Sequence, residues 1–174
     1  MPGFELVGEE ERKAVNNLFD DGGVLSGGYH VREFEKQFAN YLGVKYAQAV
    51  SSGTAALKVA LVALGVKRGD EVITQSFTFV AVAEAIVDVG AKPVFVNIDE
   101  TLNMDPNELE AAITDRTAAI IPVHMLGVSV EQDKIHKIAK KYKLPVLDDA
   151  CESLGAEWGN EKLGAQADIA TWSF

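Results

Sequence analysis

The sequence contains little cysteine and no long apolar segment. Cys151 is the one cysteine among 174 residues, which excludes an internal disulfide and favours a reducing compartment. No apolar run approaches the roughly 20 residues that a transmembrane helix needs, and residues 1–5 lack the basic and apolar regions of an export signal. We therefore expect a cytoplasmic protein.

Basic residues are also scarce, with 16 Lys and Arg against 26 Asp and Glu and a formal net charge of −10. This balance argues against a nucleic-acid surface, which needs clustered cations to neutralise phosphates. The fingerprints of a dinucleotide site, a Walker loop, a zinc cluster and a serine-hydrolase elbow are all absent. An anionic ligand would therefore have to be held by local geometry.

Apolar, β-branched segments recur about every 25 residues, which leaves room between strands for a crossover helix. Strands without polar alternation suit a sheet that is covered on both faces. The pattern predicts an α/β, three-layer domain with a mostly parallel sheet. The predicted strands are 46–50, 71–74, 93–98, 118–123, 145–147 and 169–172, and the predicted helices between them are 54–64, 78–89, 107–113 and 131–142.

The first 43 residues have a different composition. A charged helix is predicted over 9–20, followed by a glycine-rich break at Gly22, Gly23, Gly27 and Gly28 and a second helix over 31–41. We interpret residues 1–43 as an N-terminal helical arm and residues 44–174 as the large domain.

The turn at Ser52-Gly53-Thr54 joins a short apolar strand directly to an apolar helix. The first N–H groups of a helix have no partner inside it, and the helix dipole adds partial positive charge there. Gly53 allows an anion to approach the backbone, and the hydroxyls of Ser52 and Thr54 add hydrogen-bonding groups. The turn therefore predicts a phosphate site, with a plain N-cap as the alternative.

Residues beyond the carboxyl ends of parallel strands form one candidate site. Phe79 offers an aromatic face, Asp149 a carboxylate and Ser173 a hydroxyl. With the phosphate turn they describe a planar, phosphorylated ligand that carries a positively charged ring atom, and pyridoxal phosphate meets that description. The alternatives are a capping role for Asp149 and core packing for Phe79. The same strand ends carry Asp99 and His124, and for His124 we favour a structural hydrogen bond.

Motifs along nearly the whole chain, taken together, resemble the DegT/DnrJ/EryC1/StrS sugar aminotransferase family, which has the type I pyridoxal phosphate fold. The resemblance implies that Gly53, Thr54 and Ala55 bind the cofactor phosphate and that Ser173 adds a hydroxyl. It also implies that Phe79 stacks on the ring and that Asp149 bonds the pyridine nitrogen. The matching segments are 1–6, 51–57, 69–73, 77–81, 98–99, 122–124, 148–150 and 173–174.

Members of this family work as homodimers with sites at the interface. The resemblance therefore implies transfer of an amino group, from glutamate or glutamine, to a keto-sugar that is usually nucleotide-linked. The family's Schiff-base lysine lies a few residues beyond the serine matched by Ser173, and the sequence stops at Phe174. We therefore expect a chain that is incomplete at its C-terminus and that performs no transamination alone.

Glu152 is a second departure from the family's pattern. Many of the aminotransferases carry Gln or His at this position, near the phenolic oxygen of the cofactor. An acid also occurs there in the family's sugar 3-dehydratases, in which histidine replaces the lysine. Aminotransferase, 3-dehydratase and a non-catalytic fragment remain open as interpretations, with Glu152 included among the cofactor-binding residues.

Overall fold

The computed structural model describes residues 7–20 and 28–174, which form two compact units. The first ends at Ala49 and contains α1 (Glu9–Asp20) and α2 (Tyr29–Leu42). Gly43, with a φ of 73°, ends α2 in the left-handed conformation that glycine adopts freely. Both predicted helices are confirmed, whereas the motif at residues 1–6 and the glycines at 22, 23 and 27 lie outside the described residues. The domain boundary at residues 43–44 stays a prediction.

The second unit runs from Val50 to Phe174 and alternates helices with strands. Four helices match the predicted ones to within a few residues, as do five of the strands. Its helices are α3 (Gly53–Ala63), α4 (Ala81–Asp88), α5 (Pro106–Ala112) and α6 (Gln132–Tyr142). Its strands are β1 (Glu71–Gln75), β2 (Lys92–Val96), β3 (Thr117–Ile121), β4 (Leu147–Asp149), β5 (Glu157–Trp158), β6 (Glu161–Lys162) and β7 (Ile169–Thr171).

The main strands are all parallel. β1 lies between β2 and β3, and β4 pairs with β7. Parallel bridges from Ile120 to Val146 and from Val123 to Asp149 join the two groups, which gives the order β2-β1-β3-β4-β7. β5 and β6 form a separate antiparallel hairpin that the sequence pattern did not predict. The predicted α/β class with a mostly parallel sheet is confirmed.

Apolar residues cover both faces of this sheet. Val72 belongs to a buried cluster with residues of α3 and α4, whereas its neighbour Ile73 belongs to another cluster with residues of α5 and α6. Successive strand side chains point to opposite faces, so one strand supports both helical layers. The three-layer prediction is therefore confirmed. Within the described ranges, no helix is both long and apolar enough to cross a bilayer.

Residues 46–50 differ from the prediction because the structure shows no strand there. An apolar segment becomes a strand only when a neighbouring strand supplies backbone partners. Among the described residues, none forms a ladder with this segment, and the side chain of Tyr46 is 77% exposed. The prediction of a strand at 46–50 is wrong for this structure.

Candidate active site

The predicted site residues of the larger unit lie at the first turn of α3 and at the carboxyl ends of the strands. Gly53 is buried and begins α3, whereas Asp149 is the last residue of β4. Ser173 follows the end of β7 by two residues. In parallel strands these ends meet at one edge of the sheet, which is where open α/β proteins bind ligands.

Ser52 caps α3 as the sequence pattern allows. Its backbone is extended, and its Oγ accepts a hydrogen bond from the N–H of Ala55 at 3.1 Å. The N-cap interpretation of Ser52 is therefore confirmed, and the Ala55 N–H is occupied by this bond. Helix geometry leaves the N–H groups of Gly53 and Thr54 without a partner inside the helix. These two donors are the ones that the turn offers to an anion.

Gly53 lies against the segment that follows β7. A Cβ placed on it would approach within 3.0 Å of Ser173 Cβ, 3.2 Å of Cys151 Sγ and 3.3 Å of Ser173 Oγ. Any larger residue would push these neighbours apart, so the close approach requires glycine. The structure thus brings the hydroxyl of Ser173 beside the first turn of α3, where the phosphate hypothesis needs it.

Asp149 is 4% exposed and is tied to its surroundings by its backbone and one carboxylate oxygen. Its N–H donates to the Pro122 carbonyl at 2.9 Å, its carbonyl accepts from His124 N–H at 3.0 Å, and Oδ1 accepts from Cys151 N–H at 3.1 Å. Burial raises the pKa of the Asp149 carboxyl, and the bonds from Cys151 offset only part of this effect. A cation brought against Asp149 would stabilise its ionised form, so the site suits a protonated ring nitrogen.

Phe79 lies in the irregular segment between β1 and α4, and its side chain is 70% exposed. The alternative that Phe79 packs in the core is therefore wrong. An aromatic face held open near a strand end is available to a planar ligand. The contacts that join Gly53, Cys151 and Ser173 do not include Phe79.

Glu152 is exposed, and its Oε2 accepts a hydrogen bond from the N–H of Leu126 at 2.9 Å. Leu126 has a φ of 53° in the short 3-10 turn Met125–Gly127 that follows β3. Left-handed backbone is unfavourable for leucine, and the bond to Glu152 helps to hold it. Glu152 thus connects the turns that follow two neighbouring strands.

His124 has a structural role, as expected. The residue is fully buried, its Nδ1 accepts from Val130 N–H at 3.3 Å, and its carbonyl accepts from Ser153 Oγ at 2.5 Å. Its Nε2 lies 3.4 Å from Oδ2 of the buried Asp148. Asp99 serves its own turn, because its carboxylate accepts from the N–H and the hydroxyl of Thr101.

Two buried amides at this edge were missed by the sequence analysis. Gln75 and Asn103 are both fully buried, and each bonds to several backbone groups of the loops that follow the strands. For Gln75 the signal was a long polar side chain directly after the strand predicted at 71–74. A buried amide needs hydrogen-bond partners, so its position predicts a role in the loops.

Three lysines of the larger unit form ion pairs away from the candidate site. Lys58 pairs with Asp88 of α4, and Lys92 lies 3.5 Å from the carboxylate of Glu71. Lys141 pairs with Glu110 of α5. These ion pairs leave the site without a lysine from any of the three.

Residues 5–174 match the sequence profile of the DegT/DnrJ/EryC1/StrS aminotransferase family. The chain belongs to this family. The recognition made from the motifs at the strand ends is therefore confirmed over nearly the whole chain.

A similar protein sequence and a similar solved structure support this assignment. The GDP-perosamine synthase of Caulobacter vibrioides is 46% identical over 165 residues, which cover 94% of this chain and 44% of that protein. The aminotransferase of Psychrobacter cryohalolentis has a similar structure, with a TM-score of 0.93, 36% identity and coverage of 97% of this chain and 43% of that one. These neighbours confirm the type I aminotransferase fold.

The solved structure of a different enzyme is also similar. The GDP-4-keto-6-deoxy-D-mannose-3-dehydratase of E. coli, solved with bound hydrated PLP, has a TM-score of 0.85 and 35% identity. The match covers 91% of this chain and 42% of that one. This chain thus spans less than half the length of the relatives that it matches.

Proposed function

We propose that this chain forms the cofactor-binding part of a pyridoxal phosphate-dependent sugar aminotransferase. The observation that carries the proposal is the approach of Ser173 to Gly53 at the first turn of α3, next to the strand end that bears Asp149. Family membership supports the same chemistry. The proposed substrates are an amino acid, glutamate or glutamine, and a keto-sugar that is linked to a nucleotide.

The residues present fit pyridoxal phosphate by their charge and their hydrogen-bonding groups. The N–H groups of Gly53 and Thr54 and the hydroxyl of Ser173 would hold the phosphate, with Ala55 behind them in the same turn. Asp149 would hold the protonated ring nitrogen, and Phe79 would cover one face of the ring. Glu152 would lie near the edge of the ring, as the family resemblance implies.

The bound cofactor would supply an electron sink for the carbanion that forms when a proton leaves the amino acid Cα. Asp149 favours this chemistry because its negative charge keeps the neighbouring ring nitrogen protonated. Ser173 and the α3 turn fix the phosphate and so prevent the ring from sliding. A homodimer with sites at its interface and a cytoplasmic location complete the proposal.

The binding test compares wild type with Asp149→Asn and Asp99→Asn in the complete protein. We expect pyridoxal phosphate to bind to wild type and to Asp99→Asn, because Asp99 serves only its own turn. Asp149→Asn removes the charge opposite the ring nitrogen and should weaken binding at least about tenfold. Visible absorbance and circular dichroism of the bound cofactor provide the measurement. Equal binding by all three proteins would contradict the placement of the ring.

A sugar 3-dehydratase is the second candidate. It is favoured by the acid at Glu152, which the structure holds at the turn after β4, and by the similar dehydratase structure. One substrate separates the candidates: the complete protein is incubated with glutamate, pyridoxal phosphate and GDP-4-keto-6-deoxy-D-mannose. Mass spectrometry detects an amino sugar if the protein is an aminotransferase and a sugar that has lost a hydroxyl if it is a dehydratase. No conversion of this or other nucleotide-linked keto-sugars would favour a non-catalytic chain.

A further inference from the structure

Gln75, the last residue of β1, uses every hydrogen-bonding group of its side chain. The two protons of Nε2 donate to the carbonyls of Phe77 at 3.0 Å and Leu102 at 3.2 Å. Oε1 accepts from the N–H groups of Met104 and Val123, both at 3.1 Å. A side-chain amide has two donors and two acceptor positions, so no capacity is left over.

These four partners belong to three different loops. Phe77 lies in the segment after β1, Leu102 and Met104 lie in the loop after β2, and Val123 follows β3. One side chain therefore ties together the backbone beyond three strands at the edge that carries the proposed site. Asn103 extends the network, because its Oδ1 accepts from Met125 N–H at 2.9 Å and its Nδ2 contacts the Val128 carbonyl at 3.3 Å.

The bond to Phe77 matters most for the site. The segment 76–80 is neither strand nor helix, and Phe77 and Phe79 are both exposed. Its beginning is held by the bond from Ser76 N–H to the Val96 carbonyl at 2.9 Å and by the bond from Gln75 to Phe77. An exposed aromatic ring gains little from packing, so its position depends on such backbone bonds.

We propose that Gln75 is a positioning residue, whose amide holds the segment 76–80 so that Phe79 faces the cofactor ring. This inference rests on the proposed function, since it requires pyridoxal phosphate as the ligand. A neutral amide suits the task because it can both donate and accept without adding charge beside a charged ligand. Glutamate would keep the two acceptor contacts and lose the donors to Phe77 and Leu102.

The test compares Gln75→Glu with Thr74→Val in the complete protein. Thr74 is the adjacent residue, is equally buried and also bonds to a backbone carbonyl, that of Ile121 at 2.9 Å. Thr74→Val therefore removes one buried hydrogen bond from the same strand without touching the segment 76–80. Gln75→Met, which also removes the donors, is measured as well, in case the buried acid of Gln75→Glu prevents folding.

Two measurements follow for each variant. Amide hydrogen exchange of peptides that cover residues 76–82 should be at least about fivefold faster in the Gln75 variants, and the Kd for pyridoxal phosphate should rise about fivefold or more. Thr74→Val should leave both quantities within about twofold of wild type. The exchange measurement needs no cofactor, so it tests whether Gln75 holds the segment 76–80 separately from the proposed function.

Unchanged exchange in the Gln75 variants, with wild type binding pyridoxal phosphate, would overturn this inference and leave the proposed function intact. Faster exchange with an unchanged Kd would also overturn the inference, because Gln75 would then hold the segment 76–80 without affecting cofactor binding. Failure of wild type to bind pyridoxal phosphate would overturn both.

Discussion

The two ends of β1 hold buried polar side chains in different ways. At the first residue, Glu71 accepts hydrogen bonds from Thr114 Oγ1 at 2.6 Å and Arg116 Nη2 at 2.7 Å, and Lys92 Nζ lies at 3.5 Å. At the last residue, Gln75 bonds only to backbone groups. Both side chains are almost fully buried, so each end had to satisfy its polar groups.

The difference follows from what lies at each end. At the amino end the hydrogen bonds from Thr114 and Arg116, together with the positive charges of Arg116 and Lys92, lower the pKa of Glu71 to about 2. At the carboxyl end a neutral amide adds no charge beside the proposed cofactor site, whose proposed charged partner is Asp149 of β4. One strand can thus keep its own buried charge at the end that lies away from the proposed site.

Replacing Gln75 by Leu should have the largest effect on stability. Two carbonyls and two N–H groups would lose their partner inside the protein, and each buried unsatisfied group is costly. We expect the free energy of unfolding to fall by about 3 kcal/mol or more. Urea unfolding followed by circular dichroism provides the measurement, and a loss no larger than that of Thr74→Val would show that the amide is replaceable.

Replacing Glu71 by Gln should change how stability depends on pH. The pKa of Glu71 is lowered in the folded state from 4.5 to about 2 by Thr114 and Arg116. Its contribution is therefore fully present above pH 5 and is lost as the pH falls towards 2. Thermal unfolding between pH 2 and 7 should show a steeper acid loss in wild type than in Glu71→Gln. Parallel curves would argue against an ionic role at this end.

Pyridoxal phosphate binding by Glu71→Gln tests whether the two ends of β1 act separately. The change lies at the amino end of β1, so pyridoxal phosphate binding should match wild type. Weakened binding in this variant would show that the two ends are coupled rather than separate.

Replacing Gly53 by Ala should weaken both cofactor binding and stability. The added Cβ would meet Ser173 Cβ at 3.0 Å and Cys151 Sγ at 3.2 Å. We expect a stability loss of about 1 kcal/mol and at least about tenfold weaker pyridoxal phosphate binding. Thermal unfolding and absorbance titration measure the two effects, and normal binding would exclude a phosphate cradle at this turn.

Replacing Asp149 by Asn should slightly raise the stability of the cofactor-free protein, whereas the other substitutions lower it. Burial raises the pKa of Asp149, so stability falls as the pH rises from the unfolded-state pKa to the raised one, and the full cost remains at higher pH. Asn keeps an oxygen that can accept from Cys151 N–H and removes the charge. The melting temperature at pH 8 should therefore rise without cofactor, and a fall would indicate that the carboxylate is already stabilised within the protein.

Most helices and strands of the larger unit could be predicted because their signals lie within single segments of the sequence. The β-branched segment 72–74 and the amphipathic segment 131–142 carry local signals, and β1 and α6 formed where expected. Residues 46–50 have the same apolar character but no ladder partner among the described residues. Strand formation depends on a neighbour, which the pattern of one segment does not contain.

The candidate site was predictable in its positions but not in its contacts. The ends of β4 and β7 can be read from the sequence, and they placed Asp149 and Ser173 at one edge, whereas the strand expected before Gly53 did not form. The four bonds of Gln75 depend on three loops meeting in space, and no spacing along the chain encodes that meeting. The β5–β6 hairpin was also missed, because its strands have only two residues each and carry no apolar pattern.

The contact between Gly53 and Ser173 has a consequence for folding during synthesis. These residues stand near the two ends of the larger unit, so the turn that begins α3 leaves the ribosome long before its neighbour does. Contacts between such distant positions form slowly. In a nascent chain α3 would form before the proposed phosphate site is complete, so under this proposal pyridoxal phosphate would bind only after β7 has joined the sheet.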